Sequence, residues 1–204
     1  MAKSPRIKAT VGPFTFAYPH LTSPDTEGKY ADNKYKVDGI APPTSEAMKK
    51  AKAVVASALK ELGAPKNAAI PLKQETAKND KTGKREPTGN LMFRTKSQYP
   101  PAIVDAKGNP IPEKVLKSLK IGPGSEGLLQ GYFQSYELRG EPGLSFTLTG
   151  VQLIKLVKGG ASQADFGAYE GGGFSVDDAE DEGEGLDIGS DDEDDSSEDA
   201  GDNG

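Results

Sequence analysis

The sequence predicts a mainly β protein: a small β-barrel with one main α-helix, followed by a disordered acidic tail. Three observations carry this prediction. Short segments in which large residues alternate with small or polar ones recur up to residue 157, the pattern of strands with one covered face. One amphipathic segment, at residues 46–62, breaks into that series with helical spacing. The charges are also segregated. All 25 Lys and Arg residues lie at or before Lys158, so that residues 1–160, with 14 acidic residues, carry a net +11. Residues 161–204 hold 17 acidic residues and no basic one, and the overall net charge of −6 conceals the division.

Residues 9–18 form the first predicted strand, with Phe14, Phe16 and Tyr18 on one aromatic face. Pro13 and Pro19 make it an edge strand or a bent one. Residues 20–33 are rich in turn formers and read as a loop. Lys34-Tyr35-Lys36-Val37-Asp38-Gly39-Ile40 is a second short strand, stopped by Pro42 and Pro43. The helix comes next. Thr44 and Ser45 are candidate N-caps, and Glu46 suits the positive end of the helix dipole. Met48, Ala51, Val55, Ala58, Leu59 and Leu62 share one face, and Gly63 and Pro65 end the segment.

The polar residues 73–90 show no periodicity and read as a long loop. A strand returns at residues 91–96, with Leu91, Phe93 and Thr95 on one face and Met92, Arg94 and Lys96 on the other. Residues 103–105 lead into a turn at 106–109, where Gly108 and Asn109 accept positive φ. Residues 113–120 fit one short helix. The most strand-like part is a pair at 129–138 and 144–157 around a turn at 139–143, with Gly150 marking a bulge. Gly159 and Gly160 open the linker, which divides the chain into a folded body at 1–160 and a tail at 161–204.

Composition removes several function classes. With no Cys, neither a disulfide framework nor a thiolate metal site can form, and His20 alone cannot make a multi-histidine centre. No run of about eighteen apolar residues occurs, and no apolar signal region follows the polar start, so a soluble cytoplasmic protein without membrane contact is expected. Gly122-Pro123-Gly124 and Gly171-Gly172-Gly173 lack the Lys-Ser/Thr that follows a phosphate-cradling loop. Asp25, Glu27, Asp32 and Asp38 are the carboxylates a Mg²⁺-dependent nuclease would use, yet most sit in a turn-rich stretch where acidic residues are ordinary. The expectation is a protein that is not an enzyme and holds no cofactor or metal.

What remains is a polyanion partner. Cations interleave with aromatics at Lys34-Tyr35-Lys36, at Phe93-Arg94-Thr95-Lys96 and at Tyr99. Single-stranded nucleic acid asks for this mixture, because cations follow the phosphates while aromatic faces stack on unpaired bases. Phe14, Phe16, Phe93, Phe133 and Phe146 read as core, and tyrosines are the better stacking candidates because their hydroxyl tolerates a groove edge. The candidate groove is therefore Arg94 and Lys96 with Lys34, Tyr35 and Lys36, joined by Tyr99, Tyr132, Tyr136 and Arg139. The tail has too few apolar residues to offset the entropy of ordering. It reads either as a solubility device or as a polyanion that occupies the body's own cationic groove. Phe174 and the run Asp191-Asp192-Glu193-Asp194-Asp195 are its candidate partner contacts. Three rivals compete with a protective coat for single strands. They are a strand-annealing recombination mediator, the Mg²⁺-dependent nuclease, and an acidic-tailed chaperone for basic proteins.

Four stretches give the chain a family likeness. They are Phe16-Ala17-Tyr18-Pro19-His20-Leu21; Lys34-Tyr35-Lys36-Val37; Tyr99-Pro100-Pro101-Ala102-Ile103-Val104-Asp105 with Gly108-Asn109-Pro110-Ile111; and Leu148-Thr149-Gly150-Val151-Gln152-Leu153-Ile154. In this order, and with the acidic tail, the chain resembles bacteriophage single-stranded DNA-binding proteins. The resemblance implies an OB-fold, a five-stranded barrel that binds single strands with little sequence preference during replication, recombination and repair. It also implies that the tail contacts replication proteins such as DNA polymerase. Self-association into a homo-oligomer is left open.

Overall fold

The computed structural model describes residues 5–26 and 31–158. They run in the order β1 (Ile7–His20), β2 (Tyr35–Ala41), α1 (Glu46–Glu61), β3 (Leu72–Lys78), β4 (Arg85–Ser97), β5 (Ala102–Val104), α2 (Glu113–Ser118), β6 (Glu126–Leu138) and β7 (Glu141–Lys155). The sheet order is β3-β4-β2-β1-β6-β7-β5, and β4 also meets β7 in parallel at Lys96 and Thr147. That last contact closes β1, β2, β4, β7 and β6 into a five-stranded ring. The strands β3 and β5 are extensions of β4 and β7 outside it. This is the OB-like barrel the sequence led one to expect. The acidic tail expected at 161–204, its expected disorder, and the contacts assigned to Phe174 and to Asp191, Asp192, Glu193, Asp194 and Asp195 lie outside the described residues. Among the described residues no helix is long and apolar enough to cross a membrane.

Strand alternation builds the core. Val37, Gly39 and Ala41 of β2 point inward opposite Thr95, Phe93 and Leu91 of β4. Phe93 is fully buried at the centre of an aromatic cluster, stacked on Phe14 at 5.9 Å and edge-on to Phe146 at 5.1 Å and Phe133 at 6.3 Å. Such pairs add stabilisation beyond the area they bury. The walls approach closely at Gly131, where a Cβ would lie 2.1 Å from the Thr147 carbonyl oxygen and 2.7 Å from the Phe146 ring. Beside it the register slips. Gln130 pairs with Gly150 but Gly131 with Leu148, which leaves Thr149 as the extra residue of a bulge next to the glycine expected to mark one.

The helix α1 closes one side of this core. The Ser45 hydroxyl accepts a hydrogen bond from the Met48 N–H at 3.2 Å, and Met48, Ala51, Val55 and Ala58 are buried. Leu59 and Leu62 are partly buried against the same core, and Gly63 follows at φ 63°.

Two local expectations are corrected. Residues 73–90 are not a loop but most of a β3–β4 hairpin turning at 79–84. Both faces of that hairpin are wet, so no apolar alternation announces it. Cross-strand polar pairs hold it instead, with Arg85 Nε donating to Thr76 Oγ1 at 3.0 Å and Asn90 Nδ2 to Glu75 at 3.0 Å. The second correction concerns Tyr18, which does not share the inward face of Phe14 and Phe16. The register of β1 on β2 breaks between Ala17 and His20, Tyr18 takes φ 49°, and its ring is 60% exposed. A bulge breaks the two-residue period, so the alternation that places Phe16 inside cannot be extended to Tyr18.

Candidate nucleic-acid interface

The register of β2 on β4 brings most of the candidate cations to one face. Lys36 lies opposite Lys96, Asp38 opposite Arg94 and Ile40 opposite Met92, all on the outer side of the sheet. Lys73 of β3 pairs with Met92 and extends this face by one strand. Beyond the contact of Lys96 with Thr147, β4 and β7 part, and residues 69–71 fill the seam. The Arg94 N–H donates to the Pro71 carbonyl at 2.7 Å, Ala69 N–H to Pro142 at 3.0 Å, and Leu144 N–H to Ala69 at 2.7 Å.

Over this seam runs a groove of about 570 Å³. One wall carries Lys36, Asp38, Lys73, Arg94 and Lys96; the other is the end of the β6–β7 hairpin, with Tyr136, Leu138 and Ser145. Tyr136 lies flat over its register partner Gly143, where a Cβ would come within 2.2 Å of the ring. The absence of a side chain at Gly143 makes the shelf on which the aromatic face is presented. Tyr136 is 41% exposed and Leu138 63%. Arg139 follows in a two-residue turn, at φ 55° with Gly140 at φ 81°, tighter than the five residues expected.

The cations of the groove are partly matched from within. Lys36 Nζ pairs with Asp25 and lies 3.7 Å from Asp32, and Arg94 Nε is 3.7 Å from Asp38. Burial pushes the Asp38 carboxyl above its ordinary value, against the opposing pull of Arg94 and then Lys36. In the window between its unfolded and raised folded values, the folded protein holds a proton that the unfolded chain releases. The contribution of Asp38 to stability is therefore full at low pH and lost as pH rises through that window, and at neutral pH its burial in ionised form is a cost. Asp38→Asn is expected to raise the urea midpoint at pH 7, with the advantage fading as pH falls below the ordinary carboxylate value. It should also strengthen binding of an anionic ligand, because it removes the carboxylate that competes for Arg94.

The residues singled out in the sequence fall into four settings. Lys36, Arg94, Lys96 and Tyr136 line the groove and Arg139 stands at its hairpin end. Tyr132 lies outside the groove but in line with it. Lys36, Lys96, Thr147, Tyr132 and Lys8 are successive register partners across β2, β4, β7, β6 and β1, and the Arg6 guanidinium sits 4.4 Å from the Tyr132 ring centre. Lys34 just precedes β2, and Tyr99 is 76% exposed two residues past the end of β4. Tyr35 pairs with Ser97 on the face opposite Lys36 and is half-buried, so it is not beside the two lysines that flank it in sequence. Lys73, Leu138 and Ser145 are groove residues that sequence reasoning missed. Lys73 was hidden by the unrecognised hairpin, while Leu138 has the signature of any hairpin-end residue.

Among the described residues no group of three or more His, Asp or Glu side chains is placed to hold a metal ion. The carboxylates Asp25, Asp32 and Asp38 face Lys36 and Arg94 instead.

No protein-family model matches the chain, and no curated protein matches it in sequence. Solved structures do match. The single-stranded DNA-binding protein gp2.5 encoded by bacteriophage T7 aligns at 19% identity and TM-score 0.53, over 79% of this chain and 93% of that one. The single-stranded DNA-binding protein of bacteriophage Enc34, truncated at its C-terminus, aligns at 16% identity and TM-score 0.54, over 76% and 87%. The Enc34 protein in complex with single-stranded DNA aligns at 17% identity and TM-score 0.53, over 76% and 89%. The five-stranded ring of β1, β2, β4, β7 and β6 thus has the fold of phage single-stranded DNA-binding proteins.

Proposed function

We propose that this protein binds and protects single-stranded DNA with little sequence preference, without catalysing a reaction. The observation that carries this reading is the groove itself, in which Lys73, Arg94 and Lys96 face the exposed Tyr136 and Leu138 across the barrel seam. Cations on one wall suit a phosphate backbone, and an aromatic shelf on the other suits unpaired bases of any sequence. The position supports it too. OB barrels bind oligonucleotides over their second and third strands and the loops after the first and fourth. In this barrel those are β2 and β4, residues 21–34, and the turn at Arg139 and Gly140. The likeness in fold to a phage protein solved with single-stranded DNA points the same way.

The reading extends to a role in phage DNA replication, recombination and repair in the host cytoplasm. The acidic tail would restrain DNA binding and contact replication proteins such as the polymerase, through Phe174 and the acidic run at 191–195. A mobility-shift titration with oligo-dT at two salt concentrations tests the core of it. Binding is expected to weaken steeply with salt, since each phosphate contacted adds about 0.7 to the log–log slope for a single strand. Absence of binding at low salt, or binding that ignores salt, would sink the reading.

A further inference from the structure

A second depression, of about 260 Å³, lies next along β4 from the groove, lined by Ala17, Tyr18, Glu75, Thr76, Arg85, Met92 and Pro123. Met92 and Arg94 sit on the same outer face of β4, about 6–7 Å apart by strand geometry, so the floor of one site continues into the other. Tyr18 arrives here through the bulge in β1. Ala17 pairs with Asp38, and the positive φ of Tyr18 keeps the next side chain outside the barrel as well. A large residue at positive φ, with an exposed ring, is a costly arrangement that an ordinary strand end avoids. Arg85 faces the same depression. Its guanidinium is held by Thr76 Oγ1 at 3.0 Å and the Thr76 carbonyl at 2.8 Å, two acceptors without charge. The acidic neighbour Glu75 is turned to Thr88 and Asn90 across the hairpin.

We propose that Tyr18, with Met92 beneath and Arg85 beside it, is a second base-stacking site for single-stranded DNA, engaged only by strands long enough to run past Arg94 along β4. The occupant follows from the chemistry. A wet aromatic face with an oriented guanidinium recognises a base and its phosphate, and the shared face of Met92 and Arg94 supplies the path between the sites. This inference rests on the groove being the primary single-strand site.

The test uses the full chain and dT oligonucleotides of increasing length, across the roughly 4–16 nucleotides one OB barrel covers. The chain has no tryptophan, so Tyr18→Trp places a lone reporter at the site. Its emission is expected to change with long oligonucleotides and not with the shortest that bind. Tyr18→Ala is expected to match the wild type on those shortest strands and to fall about five- to a hundredfold below it on the longest, the range for loss of one stacked base. Tyr18→Phe should restore the long-strand affinity. Unchanged Trp emission on a long oligonucleotide that the mobility shift shows bound would overturn the second site and leave the primary groove standing. Equal losses at every length would overturn it too, by merging Tyr18 with the groove. If the wild type binds no oligonucleotide of any length, the primary reading falls and this one with it.

Discussion

Replacing Arg94 and Lys96 with glutamate is expected to weaken oligo-dT binding about a hundredfold or more at low salt, with the barrel still folded. Both side chains lie on the outer face of β4, one strand position apart from the core residue Thr95 on either side. Neither packs in the core, so the cost to stability is confined to Asp38, which loses its Arg94 partner and gains a like charge opposite it. Their loss to the ligand is not small. Hydrogen bonds that involve a charged group contribute about 1.5–3 kcal/mol each, and every 1.4 kcal/mol is tenfold in affinity. The reversal removes two cations from the wall facing Tyr136 and adds two carboxylates, one of them opposite Asp38, which is then left without its Arg94 partner. Arg94→Gln with Lys96→Gln gives the milder pair, free of that new repulsion, and should still flatten the salt dependence by about 1.4 in log–log slope for two lost phosphate contacts. Affinity within twofold of the wild type, in a variant with an unchanged urea midpoint, would show that the single strand does not cross β4 here.

The parts of the barrel that bury an apolar face could be read in the sequence, because burial imposes a period. Alternation alone places Phe14, Phe93, Phe133 and Phe146 in the core, and they meet there within 4.8–6.3 Å of one another in four pairs. The α1 cap at Ser45 and its Met48–Ala51–Val55–Ala58 face follow from the same logic at helical spacing. Where no face is buried, no period exists to read. That hid the β3–β4 hairpin and with it Lys73. Bulges are the other blind spot, since one extra residue reverses every side chain after it, as at Tyr18. The site was legible as a set of residue types and less so as an arrangement. Lys36, Arg94, Lys96 and Tyr136 converge on the groove, but Tyr35 is turned to the other face by the same alternation that presents Lys36. The pairing of Lys36 with Asp25 and Asp32, and of Arg94 with Asp38, depends on loop and register geometry that sequence spacing does not encode.

Deleting residues 161–204 is expected to raise oligo-dT affinity about ten- to a hundredfold at low salt and to reduce discrimination against duplex DNA. Removal of those 17 acidic residues takes the net charge from −6 to +11. A short tether holds its end near the body at an effective concentration in the millimolar range. An intrinsic tail affinity of tens of micromolar would then keep about 90–99% of grooves occupied, and apparent DNA affinity falls by the fraction left open. The tail and a single strand differ in what they offer Tyr136. No aromatic residue lies beyond Phe174, so most of the acidic residues can meet the cations of β4 but supply nothing that stacks. Unpaired bases supply both, which would let a single strand displace the tail. A duplex, its bases already paired, offers phosphates alone and competes on the tail's own terms. The tail would therefore act as a selectivity filter as well as a brake. Both electrostatic contacts weaken as salt rises, so the gap between full-length and truncated protein should close toward high ionic strength. Equal or weaker binding by the truncated protein would overturn self-masking, and an equal gain for single strands and duplex would remove the filter while leaving the brake.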